Sequence, residues 1–318
     1  MRHNQEIEKQ SFGSSIRKPV LALSIIVLLI SACKKERVES EKKKASYSKP
    51  TAFYNKNKQQ EQEFDVDSTG SGIIRGKEGT ILSGDGSIFM YPNKQSITYP
   101  FKLKLIEVYG AKDMILSNLP SVAGTTLLET GGEISIKAFK NNQELLLKPG
   151  KKYTMALDTN PNLLSGMKVF YGFVANNIQD WTGTVSTLDP TINPDTLSSI
   201  QNLPLFYLEN IARMGWVNCA RNLSASGSST TISFTASGAN PQAIDIFLVS
   251  KNSVMQVYNL QSYPLPIGTP VTVIAIAMDQ NNALVYDKQS ITVSSGLQVT
   301  LNPVTTTEAS LLTILGSL

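Results

Sequence analysis

The stretch Phe101-Lys102-Leu103-Lys104-Leu105-Ile106 alternates apolar and charged side chains with a period of two through Leu105. Successive residues of a strand point to opposite faces, so this pattern describes a strand with one buried and one wetted face. Glu133-Ile134-Ser135-Ile136-Lys137-Ala138 repeats it, as do Thr231-Ile232-Ser233-Phe234-Thr235 and Leu297-Gln298-Val299-Thr300-Leu301. Turn formers separate these runs at Gly84-Asp85-Gly86, Gly131-Gly132, Asn141-Asn142, Lys148-Pro149-Gly150 and Asp279 to Asn282. Val271 to Met278 (VTVIAIAM) is apolar on both faces and suits a central strand. Helical patterns are short, at 111–118 and 196–202. The chain is therefore expected to be all-β, with two β-sandwich modules, the second Ig-like.

The modules follow from composition shifts. Residues 64–160 form the first set of strands. Residues 161–218, with Trp181, Pro190, Pro194 and Pro204, read as an irregular connection that packs on a sandwich. The strand at Met167 to Val174 and the segment Leu205 to Trp216 belong to that packing. Residues 219–318, rich in Thr, Ser and Val, form the second module.

The N-terminus reads as an address. Arg2, Lys9, Arg17 and Lys18 precede an apolar run, Val20 to Ala32. The run is too short to span a hydrocarbon core, which needs about 20 residues. A basic flank, a short apolar run and small residues make residues 1–32 a signal peptide. Residues 34–63 carry nine basic and five acidic side chains and few aliphatics. With Cys33 they read as a disordered, charged tether, 33–63. The three lysines Lys42 to Lys44 also suit anionic lipid headgroups, at about 1 kcal/mol each.

Charge and residue counts exclude several chemistries. The whole chain has 29 basic and 25 acidic residues, but the body from Phe64 onward has 16 and 18. No basic stripe is left for nucleic acid. The sole histidine, His3, lies in the signal peptide. A mature chain without histidine builds neither a Ser-His-Asp nor a Cys-His arrangement, and zinc sites of the His/Cys type lack ligands. No cofactor or metal site is expected. Beside Trp216 and Val217, Cys219 reads as a buried structural thiol rather than a nucleophile activated by Arg221. Gly70 to Lys77 fails the phosphate-loop spacing, and Gly76 stands where a calcium loop begun at Asp65 needs Glu. Ser165-Gly166-Met167-Lys168 matches a Ser-x-x-Lys pattern without its partner motifs. Asp158, Asp189, Asp195 and Asp279 suit Asx turns, and a looser calcium site between loops stays open. Trp181, Tyr171 and Phe173 suit a core, with a sugar-stacking platform as the alternative.

Leu29-Ile30-Ser31-Ala32-Cys33 resembles the bacterial lipobox, with Ile30 where leucine is commoner. The resemblance implies lipidation of Cys33 and a membrane partner through that anchor. Two or three acyl chains hold stably where one does not, each buried CH₂ adding about 0.8 kcal/mol. Lys34 follows in place of the aspartate that retains some lipoproteins at the inner membrane, which implies the outer membrane.

A longer ordered series runs from Gly76 to Ser87 (GKEGTILSGDGS) through Leu105-Ile106-Glu107, Asp113-Met114-Ile115, Leu127 to Ile134 (LLETGGEI), Asn142 to Leu145 and Lys148 to Lys151, ending at Gly215-Trp216-Val217-Asn218-Cys219. It resembles envelope lipoproteins of Bacteroidota, whose first β module is distantly similar to the ZU5 interaction domain. Ala220 departs from an acidic residue common there. The resemblance implies a fold and a cell envelope, and brings no catalytic residues. It also implies O-glycosylation at Asp67-Ser68-Thr69 and Asp195-Thr196-Leu197.

The leading expectation is a non-enzymatic binding or scaffolding module for a protein or glycan. The alternative is a glycan hydrolase using two carboxylates about 5–10 Å apart, drawn from Glu107, Asp113, Glu129 and Glu133. A third reading has Leu311 to Leu318 (LLTILGSL) pairing as a strand with a neighbouring subunit.

Overall fold

The alternating runs pair into sheets whose apolar faces meet. In the larger sheet the spatial order is Gln62–Val66, Phe101–Val108, Thr126–Lys140, Gly215–Asn222, Lys168–Ala175 and Ile178–Thr182, each antiparallel to its neighbour. Val122–Ala123 and Gln143–Glu144 pair with the ends of the long third strand. A five-stranded sheet lies opposite, ordered Ser199–Leu203, Phe206–Ile211, Tyr153–Asp158, Ile81–Ser83 and Ile73–Arg75. Leu103, Leu105, Ile134 and Ile136 from one sheet share a core with Leu82, Tyr153, Met155 and Leu157 from the other. The structure, a computed structural model, describes residues 45–69, 72–158, 164–175, 178–183, 199–203, 206–223 and 227–318. The apolar run at 20–32, Cys33, the tether up to residue 44, Asp189 and the triplet Asp195–Leu197 lie outside these residues.

The second sandwich centres on Pro270–Met278, the strand expected to be apolar on both faces. It is the middle of five, ordered Ser253–Val257, Asp245–Ser250, Pro270–Met278, Leu284–Thr292 and Val304–Thr305. One of its faces, with Ile246, Leu248, Val273 and Ala275, packs against the parallel pair Ser233–Ala236 and Gln298–Leu301. The other face, with Phe247, Val249, Ile274 and Ile276, meets the first sandwich. The chain is thus all-β and sandwich-type.

Three short helices fill the seam between the sandwiches. α1 (Thr51–Asn57) inserts Phe53 and Tyr54. α2 (Ala111–Leu116) buries Met114, Ile115 and Leu116. α3 (Glu308–Gly316) presents Leu311 and Leu315, four residues apart and therefore on one face. The Thr307 hydroxyl accepts the Ser310 N–H at 3.1 Å and caps α3. Each fully buried Leu or Phe contributes about 1.5–3 kcal/mol, so the seam is a core in its own right.

Three expectations change. Residues 45–63 are folded, although the tether was expected to run to 63. Tyr47, Phe53 and Tyr54 are buried, and Gln62–Val66 forms the sheet's edge strand. The burial of three aromatics outweighs the polar composition around them. The described strands within 161–218 join both sheets rather than only packing on one: the strand expected at Met167 to Val174 is Lys168–Ala175, and with Gly215–Asn222 its apolar side completes the larger sheet. Leu311 to Leu318 lies within and just beyond α3 and is docked in the seam, where the third reading had a strand. Its capped start and the Leu311–Leu315 spacing favour the helix.

Candidate functional site

A bulge in the larger sheet shapes the site. Cys219 pairs with Gly132 while Ala220 pairs with Thr130, so Gly131 is the extra residue. A Cβ at Gly131 would lie 2.8 Å from the Tyr207 ring, which is why glycine occupies this point. The bulge also reverses the alternation. Glu129 pairs with Arg221 and Glu133 with Asn218, so the two glutamates face opposite sides of the sheet.

Glu129 opens onto a cavity of about 730 Å³ at the end of the sheet, where the seam opens and both sheet faces contribute: Glu129 and Arg221 from one, Lys168 and Phe170 from the other, with Ser165 and Lys251 among others. The Arg221 guanidinium donates to Glu129 Oε2 from Nε (2.9 Å) and from Nη2 (2.7 Å), and to the Ser165 carbonyl from Nη1 (3.0 Å). The Glu129 side chain is only 8% exposed. Removing Arg221 would strand a buried charge, which costs about 3–5 kcal/mol. Lys251 comes from the second sandwich, in the turn joining Asp245–Ser250 to Ser253–Val257. Asn252 clamps that turn to the first sandwich. Its carbonyl accepts the Thr130 N–H at 3.1 Å, and its side-chain amide donates to the Thr130 carbonyl at 2.5 Å.

Glu133 lies on the seam side and is wholly buried. Its Oε1 accepts from the Ser121 hydroxyl (2.9 Å) and the Asn218 amide (3.1 Å). Asn218 in turn accepts from the Thr130 hydroxyl at 2.6 Å. Burial pushes the Glu133 carboxyl up to about 8, and the Ser121 hydrogen bond pulls the other way. Glu209 points into the first core between Tyr207 and Ile211. Burial pushes it up to about 8 as well, opposed by the facing Cys219 thiol. Burial and Glu209 hold the thiol well above its usual range, so Cys219 is buried and unreactive.

The four carboxylates considered for hydrolysis are not brought together. Glu107 accepts from the Thr80 N–H (2.9 Å), the Glu78 N–H (3.1 Å) and the Gln62 amide (2.7 Å), clamping the turn at 76–80. It pairs across the sheet with Ile134, so it faces the side opposite Glu133. Asp113 sits in the first turn of α2. The aromatic platform is also divided. Trp181 is buried in the seam and donates its indole N–H to the Pro120 carbonyl at 2.8 Å, whereas Tyr171 enters the first core. Asp279 forms the expected Asx turn, accepting from Asn281 and Ala283, each at 2.8 Å. Asp67 does the same for Thr69, at 2.9 Å. Ser165 and Lys168 of the Ser-x-x-Lys match lie in a turn and at a strand start. Among the described residues, no three His, Cys, Asp or Glu side chains group as a metal site requires. No described helix is long and apolar enough to cross a membrane.

A second groove, of about 630 Å³, runs over the outer face of the same sheet. Two of its three lysines are paired with acids: Lys102 meets Glu63 (2.6 Å) and Asp65 (3.0 Å), and Lys104 meets Glu61 (2.6 Å), while Lys140 donates to the Pro100 carbonyl (2.6 Å). Lys104 also lies over the Phe139 ring, 5.3 Å from its centroid.

Sequence reasoning named Cys219, Arg221, Lys168 and the two glutamates of the bulge strand, but missed Glu209 and Lys251. Glu209 stands in a strand with apolar residues at both parities, Phe206 and Leu208 against Tyr207 and Ile211. Period two alone does not say which way it points. Lys251 stands in a turn with only Asn252 beside it to mark the spot. No protein-family model, curated protein or solved structure matches the chain.

Proposed function

We propose that the chain is a lipid-anchored envelope protein acting as a non-enzymatic binding or scaffolding module for a protein or glycan. Cys33 carries the anchor, and the outer membrane is its place. The observation that supports this best is the seam cavity, with walls drawn from both sandwiches and fixed by the Glu129–Arg221 pair and the Asn252 clamp. A cavity of this size falls within the ~300–1,000 Å³ of small-ligand sites.

The anchoring half is tested by feeding cells an alkyne-bearing palmitate analogue. Wild type is expected to take up the label and sediment with outer membranes, and Cys33→Ala to lose the label. Equal labelling of both forms, or of neither, would overturn the anchor. Protease treatment of intact and lysed cells then separates a surface site from a periplasmic one.

A further inference from the structure

We propose that the seam cavity binds an acidic saccharide through the sugar's carboxylate. This rests on the binding-module reading and names the ligand class of that same cavity.

Charge is the first argument. Lys168, Arg221 and Lys251 line the cavity with Glu129 as the acidic member. Glu129 is spent on Arg221, and neither Lys168 nor Lys251 has an ion-pair partner among the described residues. The outer groove has the same residue types, yet Lys102 and Lys104 there are paired with acids. An excess of cations in one concave site, on a body with more acidic than basic residues, selects an anion locally.

Geometry is the second. Arginine has five N–H donors, and Arg221 spends three of them on Glu129 and Ser165. Two remain on a guanidinium whose position is already fixed. A planar guanidinium already held in place suits a carboxylate better than a mobile ammonium does. Lys251 is held by a turn whose own backbone is fastened to Thr130, so cations from both sandwiches keep a set spacing.

The third argument separates sugar from peptide. Extended peptides bind by adding a strand to an exposed sheet edge. The strands lining this cavity, Thr126–Lys140, Gly215–Asn222 and Lys168–Ala175, are interior to the strand order, and Thr130 beside the cavity already spends its N–H and carbonyl on Asn252. Beside the Glu129 carboxylate, the side chains offered here include a guanidinium, two ammonium groups, the Asn222 amide, the Ser165 hydroxyl and the Phe170 ring. Together they match a carboxylate, hydroxyl groups and the apolar face of a pyranose.

The test is titration calorimetry of the full chain in detergent micelles. The probes are oligosaccharides of galacturonate, glucuronate and mannuronate, each beside its methyl ester. At least one acid is expected to bind, with its ester about tenfold weaker or worse, and with affinity falling as salt rises. Lys168→Glu with Lys251→Glu should abolish acid binding while circular dichroism stays unchanged, because both side chains are exposed. No binding of any acid to the folded protein, equal binding of acid and ester, or indifference to the double charge reversal would overturn the proposal. Tighter binding of an oligoglutamate of equal charge would overturn the saccharide class. If an ester binds and survives the charge reversal, the binding-module reading stands and only this inference fails. Loss of the anchor in the palmitate experiment would leave the cavity result untouched.

Discussion

The interior of the first sandwich and the seam between the sandwiches each bury a whole glutamate, and they treat it differently. In the seam, Glu133 is met by Ser121 and Asn218, and Asn218 by Thr130, so one oxygen belongs to a polar network. In the interior, Glu209 faces the Cys219 thiol and makes no hydrogen bond of ordinary geometry from either oxygen. Both carboxyls are pushed up to about 8, chiefly by burial. Equal titration therefore conceals unequal roles. Glu133 holds neighbours that would be orphaned without it, whereas Glu209 is a cost that the surrounding apolar core carries.

The largest effect should come from breaking the seam itself. Phe247 is 1% exposed there and meets Tyr54 edge-on with ring centroids 6.5 Å apart. Phe247→Ala should cost about 3–5 kcal/mol in urea unfolding, since a large ring leaves a cavity. If the seam joins the two sandwiches energetically, both should unfold in one transition in the wild type. Two separate transitions, with the first untouched by the substitution, would show the seam to be passive.

Substituting the two glutamates tests the contrast directly. Glu209→Leu is expected to stabilise the protein by about 1–3 kcal/mol, because an unbonded polar group leaves an apolar site. Glu133→Leu is expected to destabilise it by a similar ~1–3 kcal/mol, because Ser121 and Asn218 lose their acceptor. Thermal unfolding of the two variants side by side reads the signs. Shifts in the same direction would erase the distinction.

Titration gives a smaller effect per step. Each carboxyl has a folded pKa of about 8 against 4.5 for an ordinary glutamate. Between those values the folded state holds more protons than the unfolded state. Their contribution to stability is therefore most favourable below about 4.5 and declines as pH rises towards 8. One proton per group limits the slope to about 1.4 kcal/mol per pH unit. The double variant Glu133→Gln, Glu209→Gln should flatten the fall in stability across that window. An unchanged slope would mean that neither group is the source.

The alternating runs made the sandwich architecture legible in advance. Leu103 and Leu105, Ile134 and Ile136, and the doubly apolar Val271 to Met278 all lie where period two puts them. Two kinds of information were hidden. One was competition between composition and a few strong residues: around Tyr47, Phe53 and Tyr54 charge suggested a tether, yet these three rings bury themselves. The other was parity. Glu129 and Glu133 are four residues apart and would share a face of a regular strand, but the bulge at Gly131 separates them. The Gly131-Gly132 pair carries a turn signal, yet it is a kink within one strand of 15 residues. The charges of the seam cavity also come from segments remote in sequence, Glu129 and Arg221 being 92 residues apart. No local pattern announces such a meeting.

The strap ahead of α1 sets how the body would carry load. Ser48 exchanges backbone hydrogen bonds with Met278 at 3.0 and 2.9 Å, and Lys49 pairs with the buried Asp245. A tension applied at residue 45 would reach the second sandwich first, through its central strand, before it strained the seam cavity. The strap is the first segment to take such a load: peeling it would draw Tyr47 out of the second sandwich's core, and a pulling experiment is expected to record an early yield before the main rupture.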